Sequence, residues 1–278
     1  VTTYDSAPLS GVLDFTGRVA VVTGGARGIG RGIAEAFLAA GAEVVVCGRH
    51  EVTGDALPSA TDGAGRPRRA VFVAGDVREA DQASRVIDAA VDRFGRIDTL
   101  VNNAGGSPSV DAAGASPRFS ASVVALNLLA ALYCAQAANA SMQGQEEGGS
   151  IVNISSVSGL RPSPGSSAYG AAKAGLINLT QSLAVEWAPK VRVNAVSAGL
   201  VATEAADDHY GGPAGMARVA ATVPLGRFGT PQDVAGPCLF LASGLAGYVT
   251  GANLVVHGGG EWPAFLAAAA GPAGPTPT

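Results

Sequence analysis

The sequence predicts an α/β protein: one doubly wound domain with a seven-stranded parallel sheet flanked by helices. Three observations predict it. Short β-branched runs alternate with Ala-rich helical stretches almost from end to end, seven of those runs read as buried strands, and no linker interrupts the alternation. The strands fall at 18–23, 43–47, 70–75, 99–102, 150–155, 191–197 and 253–256. Helices are expected at about 30–40, 79–94, 116–142, 167–188 and 231–243, several bounded by the Gly and Pro residues that stop or start a helix. Residues 1–16 read as a surface arm, 17–260 as the folded domain and 261–278 as a tail. That tail carries Trp262 and Phe265, which are poorly suited to open water and suggest cover on an apolar patch of this chain or of a neighbour. Two stretches break the rhythm. Residues 54–69 form a polar Gly/Pro loop whose start has room for a short helix. Residues 200–229 are long and rich in Gly, Pro and Ala, and they follow the carboxyl end of a strand, where open α/β sheets bind ligands and lids sit.

Composition excludes several classes of function. The formal charge is −4, the arginines are scattered and no basic run is present, which argues against a nucleic-acid partner. Cys47, Cys134 and Cys238 are odd in number, far apart and set in apolar or helical surroundings. They fit neither a disulfide framework nor a zinc site, and no metal is expected. No stretch is expected to reach the length of a membrane span without polar interruption, and the first residues carry no basic cluster followed by an apolar run. A soluble, cytoplasmic protein with no membrane partner is the expectation.

Two motifs carry chemistry. Thr23-Gly24-Gly25-Ala26-Arg27-Gly28-Ile29-Gly30 directly follows the first strand and opens the first helix. Glycines there let the backbone turn sharply and approach a pyrophosphate, while the free N–H groups and dipole of the helix N-terminus favour negative charge. Tyr169-Gly-Ala-Ala-Lys173 lies early in a predicted helix, so its i, i+4 spacing puts phenol and ammonium on one face. A phenol is a poor base near neutrality, and a nearby cation favours phenolate. Ser156, at the end of the preceding strand, is placed to present a hydroxyl beside Tyr169; a capping or loop role is the alternative. Asn127 sits mid-helix among Ala and Leu, so its amide either ties down a neighbouring backbone or holds ordered water.

Together these residues resemble the short-chain dehydrogenase/reductase (SDR) family, of the 3-oxoacyl-acyl-carrier-protein-reductase-like kind with a Rossmann-type fold, over about residues 13–260. The glycine turn, Asp76-Val77, Asn102-Asn103-Ala104-Gly105, Asn127, Ser156, and Tyr169 with Lys173 all appear in family order. The resemblance implies that Ser156 holds the substrate oxygen and Tyr169 exchanges the proton. Lys173 would bind the nicotinamide ribose and lower the tyrosine pKa, and Asn127 would position a water relay. It further implies cofactor contacts at Gly24, Gly28, Ile29, Gly30, Asp76, Val77, Asn103, Ala104, Gly105, Val201 and Thr203, and a dimer or tetramer built through helices 116–142 and 167–188. The substrate is a small carbonyl or alcohol compound; β-ketoacyl thioesters, steroids, sugars, cyclic ketones and quinone-like compounds are all admitted.

Cofactor choice is read from the end of the second strand. An NAD site places Asp or Glu there to bind the ribose hydroxyls, whereas this chain has Gly48 followed by Arg49, with Arg27 in the glycine turn on the same side. Two guanidiniums and no acid suit a 2′-phosphate, so NADP(H) is expected over NAD(H). The alternative is an NAD-preferring alcohol dehydrogenase with both arginines as solvated charges. Two departures from the family pattern stand out: Ala198-Gly199 replaces Pro-Gly, and His257, read as structural, replaces the Asp of an Asp-Gly-Gly turn. The lid has few charges near its start beyond Glu204, Asp207 and Asp208. A dinucleotide-binding sensor would show a damaged catalytic set, and a methyltransferase has no use for the Ser/Tyr/Lys group.

Overall fold

The computed structural model describes residues 13–204, 206, 210–265 and 269. Seven parallel strands form one sheet: β1 (Val19–Thr23), β2 (Glu43–Gly48), β5 (Val71–Ala74), β6 (Thr99–Asn102), β7 (Gly149–Ser156), β8 (Val191–Ala198) and β9 (Asn253–Val256), in the order β5-β2-β1-β6-β7-β8-β9. The order reverses between β1 and β6. That switch point opens a crevice at the carboxyl ends of those two strands, where the glycine turn and Asn103-Ala104-Gly105 lie.

Alternate strand residues feed two apolar layers. Val22, Val46, Val152 and Val196 face α1 (Gly28–Ala39) and α7 (Pro231–Ala242), while Val21, Val45, Ile151 and Val193 face α2 (Ala80–Phe94), α4 (Ala130–Gly144) and α5 (Ser167–Trp187). Local chemistry sets the helix ends. Gly95 closes α2 at φ 78°, a left-handed cap that glycine adopts without a Cβ clash. Thr230 and Asp233 form a capping box with Pro231 at the first turn of α7. Ser116 caps α3 (Pro117–Val124) by accepting from the Phe119 N–H at 3.1 Å.

Four findings correct or extend the expectations. A two-stranded hairpin, β3 (Ser59–Thr61) and β4 (Pro67–Arg69), lies within the 54–69 loop, after a 3₁₀ turn at Gly54–Ala56. It folds around the buried Asp62 carboxylate, which accepts from the Ala64 and Arg66 backbone N–H groups and from the Arg66 and Arg68 guanidiniums. These partners hold the carboxyl well below its usual range. Second, the helix expected at 116–142 is broken by a π turn at Ala125–Leu129, with Asn127 at its centre. Third, Pro117–Gly144 is long and apolar enough to cross a membrane by length and composition, at mean hydropathy 1.6, contrary to the expectation that no stretch would be. In this fold it packs on the sheet through Ala130, Cys134, Ala138 and Met142, which is why it is so poor in charge. Fourth, Phe15 lies in the core against Phe37, with ring centroids 5.1 Å apart, so the region assigned to the arm enters the folded body before residue 17. Residues 1–12 lie outside the described residues. Trp262 and Phe265 remain exposed on this chain, although the Trp262 N–H is tied to the Thr222 carbonyl at 3.1 Å.

Candidate active site

The glycine turn has the geometry of a phosphate cradle. Gly24 and Gly28 have φ of 63° and 52°, and a Cβ on Gly30 would stand 2.4 Å from the Asn103 amide nitrogen and 2.5 Å from the Gly24 carbonyl. Side chains therefore cannot enter at that point without moving backbone. The first turn of α1 has no acidic residue and no side-chain cap, so its N–H groups face outward unclaimed by a carboxylate. Asn103 clamps the turn from the neighbouring strand end, its amide donating to the Thr23 carbonyl at 2.9 Å. The Thr23 hydroxyl in return accepts from the Asn103 and Ala104 N–H groups at 3.0 Å each. Thr203 closes the other side, its methyl group 3.4 Å from where a Gly28 Cβ would be. These features fit a dinucleotide pyrophosphate.

Elsewhere along the crevice the expected contacts separate by role. Ile29 and Val77 turn their side chains to the core, leaving backbone as their contribution. Val201 bridges to Gly229 and anchors the root of the lid. Asp76 is held by the Arg78 guanidinium, whose Nε lies 2.9 Å from one carboxylate oxygen; this bond lowers the Asp76 pKa, with Arg49 adding a smaller effect. Arg27 and Arg49 are both exposed, and among the described residues neither enters an ion pair. Asp207 and Asp208 of the lid lie outside the described residues, whereas Gly212–Ala220 forms helix α6.

Deeper in, the sheet and α5 bring the four catalytic candidates together. Ser156 ends β7 with an accessible hydroxyl that accepts from the Ser158 N–H at 3.1 Å, while Ser155 is buried and bonds the Lys173 carbonyl at 3.0 Å. Ser155 is thus part of the scaffold, and Ser156 is left partly open. Lys173 is 4% exposed, and its ammonium donates to the Ile154 carbonyl at 2.8 Å. Burial lowers its pKa to about 8. A Cβ on Gly105 would lie 2.8 Å from the Asn127 amide oxygen and 3.1 Å from the Lys173 nitrogen, so both groups converge on that glycine.

One expectation is corrected. The Tyr169 pKa is raised by burial, with a hydrogen bond from Ser156 opposing, and is not lowered by Lys173. The ammonium is 5.7 Å from the phenol ring centroid and directed at the Ile154 carbonyl, which explains its small influence. The Asn127 amide ties down neighbouring backbone: it accepts from the Gly106 N–H at 2.8 Å and donates to the Gly106 and Val123 carbonyls, both at 2.9 Å. It shapes the 103–106 loop that faces Lys173.

Three neighbours went unread in the sequence. Tyr210 packs on Phe228 in the lid with ring centroids 5.2 Å apart, and its phenol, raised chiefly by burial, senses the charges of Glu261 and Arg161 and the Tyr169 phenol. Arg161 and Glu261 form an ion pair at 2.5 Å. Isolated polar residues in loops carry no periodic signal, so no pattern announces such a meeting. Among the described residues no group of three metal-ligating side chains occurs.

Comparison with known proteins agrees with this geometry. A family profile described as enoyl-(acyl carrier protein) reductase matches residues 24–261. An L-rhamnose 1-dehydrogenase (NAD(P)(+)) of Azotobacter vinelandii is 39% identical over 87% of this chain and 96% of its own length. A 3-oxoacyl-[acyl-carrier-protein] reductase of Synechocystis is 37% identical over 88% of this chain and 97% of its own. The ligand-free structure of an aldohexose dehydrogenase from Thermoplasma acidophilum superimposes with a TM-score of 0.80 at 31% identity, covering 89% of this chain and 95% of that one. The chain belongs to the short-chain dehydrogenase/reductase family and is an oxidoreductase of alcohol and carbonyl substrates.

Proposed function

We propose that the chain moves hydride between NADP(H) and a carbonyl or secondary alcohol, with Tyr169 as general acid and base. The convergence of Ser156, Tyr169, Lys173 and Asn127 beside the cradle carries this reading. When bound, the nicotinamide supplies or accepts the hydride. Tyr169, kept protonated by burial, gives its proton to the oxygen of a carbonyl being reduced and takes it back in oxidation. Ser156 donates a second hydrogen bond to that oxygen as its charge develops. Lys173 meets the ribose hydroxyls, and Asn127 holds the loop that positions them.

NADP(H) is favoured because Gly48 leaves no acid at the ribose position and Arg27 and Arg49 are exposed without ion pairs among the described residues. Of the substrates the family admits, relatives named for rhamnose and aldohexose favour a polyhydroxylated alcohol. The enzyme works as a cytoplasmic homo-oligomer, a dimer or tetramer joined through α3, α4 and α5. Leu126, Leu128, Leu129, Leu132 and Tyr133 of Pro117–Gly144 are half-buried within one chain, which leaves apolar surface for a second copy to cover.

The test is a panel of sugars, cyclic alcohols and acyl thioesters, assayed by nicotinamide absorbance with both cofactors. Turnover of a secondary alcohol or its ketone with higher kcat/KM for the NADP(H) pair is expected. Turnover of none of the panel with either cofactor would refute the reading.

A further inference from the structure

Beyond the reacting centre, a recess of about 240 Å³ opens at the carboxyl ends of β7, β8 and β9, lined by Val157, Leu160, Arg161, Leu200, His257 and Glu261 among others. Strand register fixes its place. Ser156 pairs with Ala198, and Ala198 with Val256, so the next residue on each chain (Val157, Gly199, His257) forms the row immediately past the catalytic serine. Two strand spacings separate Val157 from His257, roughly 10 Å. The recess therefore begins one residue past Ser156 and ends at an imidazole.

Its walls are divided by chemistry. Val157, Leu160 and Leu200 are apolar, whereas His257 and the Arg161–Glu261 pair supply donors and acceptors at the far side. Two glycines set the imidazole in place. A Cβ on Gly199 would stand 2.6 Å from that of His257, and one on Gly260 would stand 3.3 Å from the imidazole Nε2. Gly199 is thus required by the close approach of the chain at position 257, independently of the missing proline before it. The Arg161–Glu261 pair is 44% and 39% exposed, a setting in which an ion pair contributes little to stability. What it does supply is a fixed carboxylate and guanidinium at the mouth of the recess, joining the loop after Ser156 to the segment after β9. Tyr210 lies close enough to Arg161, Glu261 and Tyr169 to interact with all three, which ties this polar side to the reacting centre.

We propose that His257, Arg161 and Glu261 form a hydroxyl-binding subsite that holds the distal hydroxyl groups of a polyhydroxylated substrate of monosaccharide size while its reacting carbon lies at Ser156 and Tyr169. The small volume and the hydrogen-bonding groups at the far side of an otherwise mostly apolar recess select for this class. The recess is smaller than the roughly 300–1,000 Å³ of sites for larger ligands, and it ends in hydrogen-bonding groups where a fatty chain or steroid needs apolar wall. The proposal rests on the oxidoreductase reading above and adds to it the residues that choose the substrate.

The experiment compares L-rhamnose and D-glucose with cyclohexanol in wild type, His257→Ala, His257→Gln and Glu261→Gln, reading the ratio of kcat/KM for sugar over cyclohexanol. His257→Ala and Glu261→Gln should each lower that ratio about tenfold, mainly through the sugar KM, and His257→Gln, which keeps a donor and an acceptor, should restore part of it. Melting curves establish that each variant is folded. In parallel, calorimetry measures sugar binding to the cofactor-loaded protein carrying Tyr169→Phe, which does not depend on turnover. A ratio unmoved by His257→Ala and Glu261→Gln, or a cofactor-loaded protein that binds neither sugar, would overturn the subsite. Sugar binding that weakens in the variants without turnover in any of them would uphold the subsite and refute the oxidoreductase reading.

Discussion

Lys173 is a buried cation whose place in the site works against stability. Folding removes water from its ammonium and lowers its pKa from the ordinary 10.5 to about 8. Between those values the unfolded chain binds more protons than the folded one, so this group makes stability rise with pH across that window and costs stability below it. Lys173→Met should raise folding stability near neutral pH by about 1–3 kcal/mol, while abolishing most activity. The advantage over wild type should shrink as pH climbs from about 8 towards 10.5, which denaturant titrations at several pH values would show. Uniform destabilisation by Lys173→Met would contradict it. Cofactor selection is also a residue-scale matter. A Cβ on Gly48 would meet no more than the Phe72 ring at 3.6 Å, so Gly48→Asp fits without strain and should repel a 2′-phosphate. Arg49→Ala should weaken NADPH about ten- to a hundredfold and leave NADH nearly unchanged. Equal affinities for the two cofactors in wild type and both variants would mean that Arg27 and Arg49 are surface charges. That Tyr169, Lys173 and Ser156 lie at one place in the fold was legible from their residue types and spacing; the direction of the Tyr169 shift was not, since burial is a property of the fold.

Among the elements, the glycine turn and the π turn do the positioning. Gly30→Ala would force its methyl group onto the Asn103 amide and the Gly24 carbonyl. The turn must shift, with a loss of about 1–3 kcal/mol in stability and at least tenfold weaker cofactor binding, measured by melting and by fluorescence titration. An unchanged dissociation constant would show that the turn does not hold the cofactor. All seven sheet strands were legible from their apolar β-branched runs; burial on both faces leaves that imprint on the five inner strands, and the edge strands β5 and β9 carry it although they are partly exposed. The β3–β4 hairpin was not, since it is organised by one buried carboxylate and two arginines and not by an apolar pattern. The π turn escaped for a related reason: Ala and Leu continue on both sides of Asn127, so helical periodicity passes over the bulge without a mark.

At the scale of the molecule, the half-buried leucines of Pro117–Gly144 and the exposed Trp262 and Phe265 are the surfaces to explain. Light scattering at micromolar concentration should give a dimer or tetramer, and charged substitutions at the half-buried Leu126 or Leu129 should dissociate it; a monomer would contradict the assembly. The account as a whole turns on the phenol at the centre of the site. Tyr169→Phe removes the proton donor and keeps the ring, so the most direct measurement is its turnover of a wild-type substrate beside its affinity for NADPH. A loss of at least ~10²-fold in kcat with NADPH binding preserved is the predicted result. Turnover within a few-fold of wild type, with an unchanged pH profile, would contradict the mechanism.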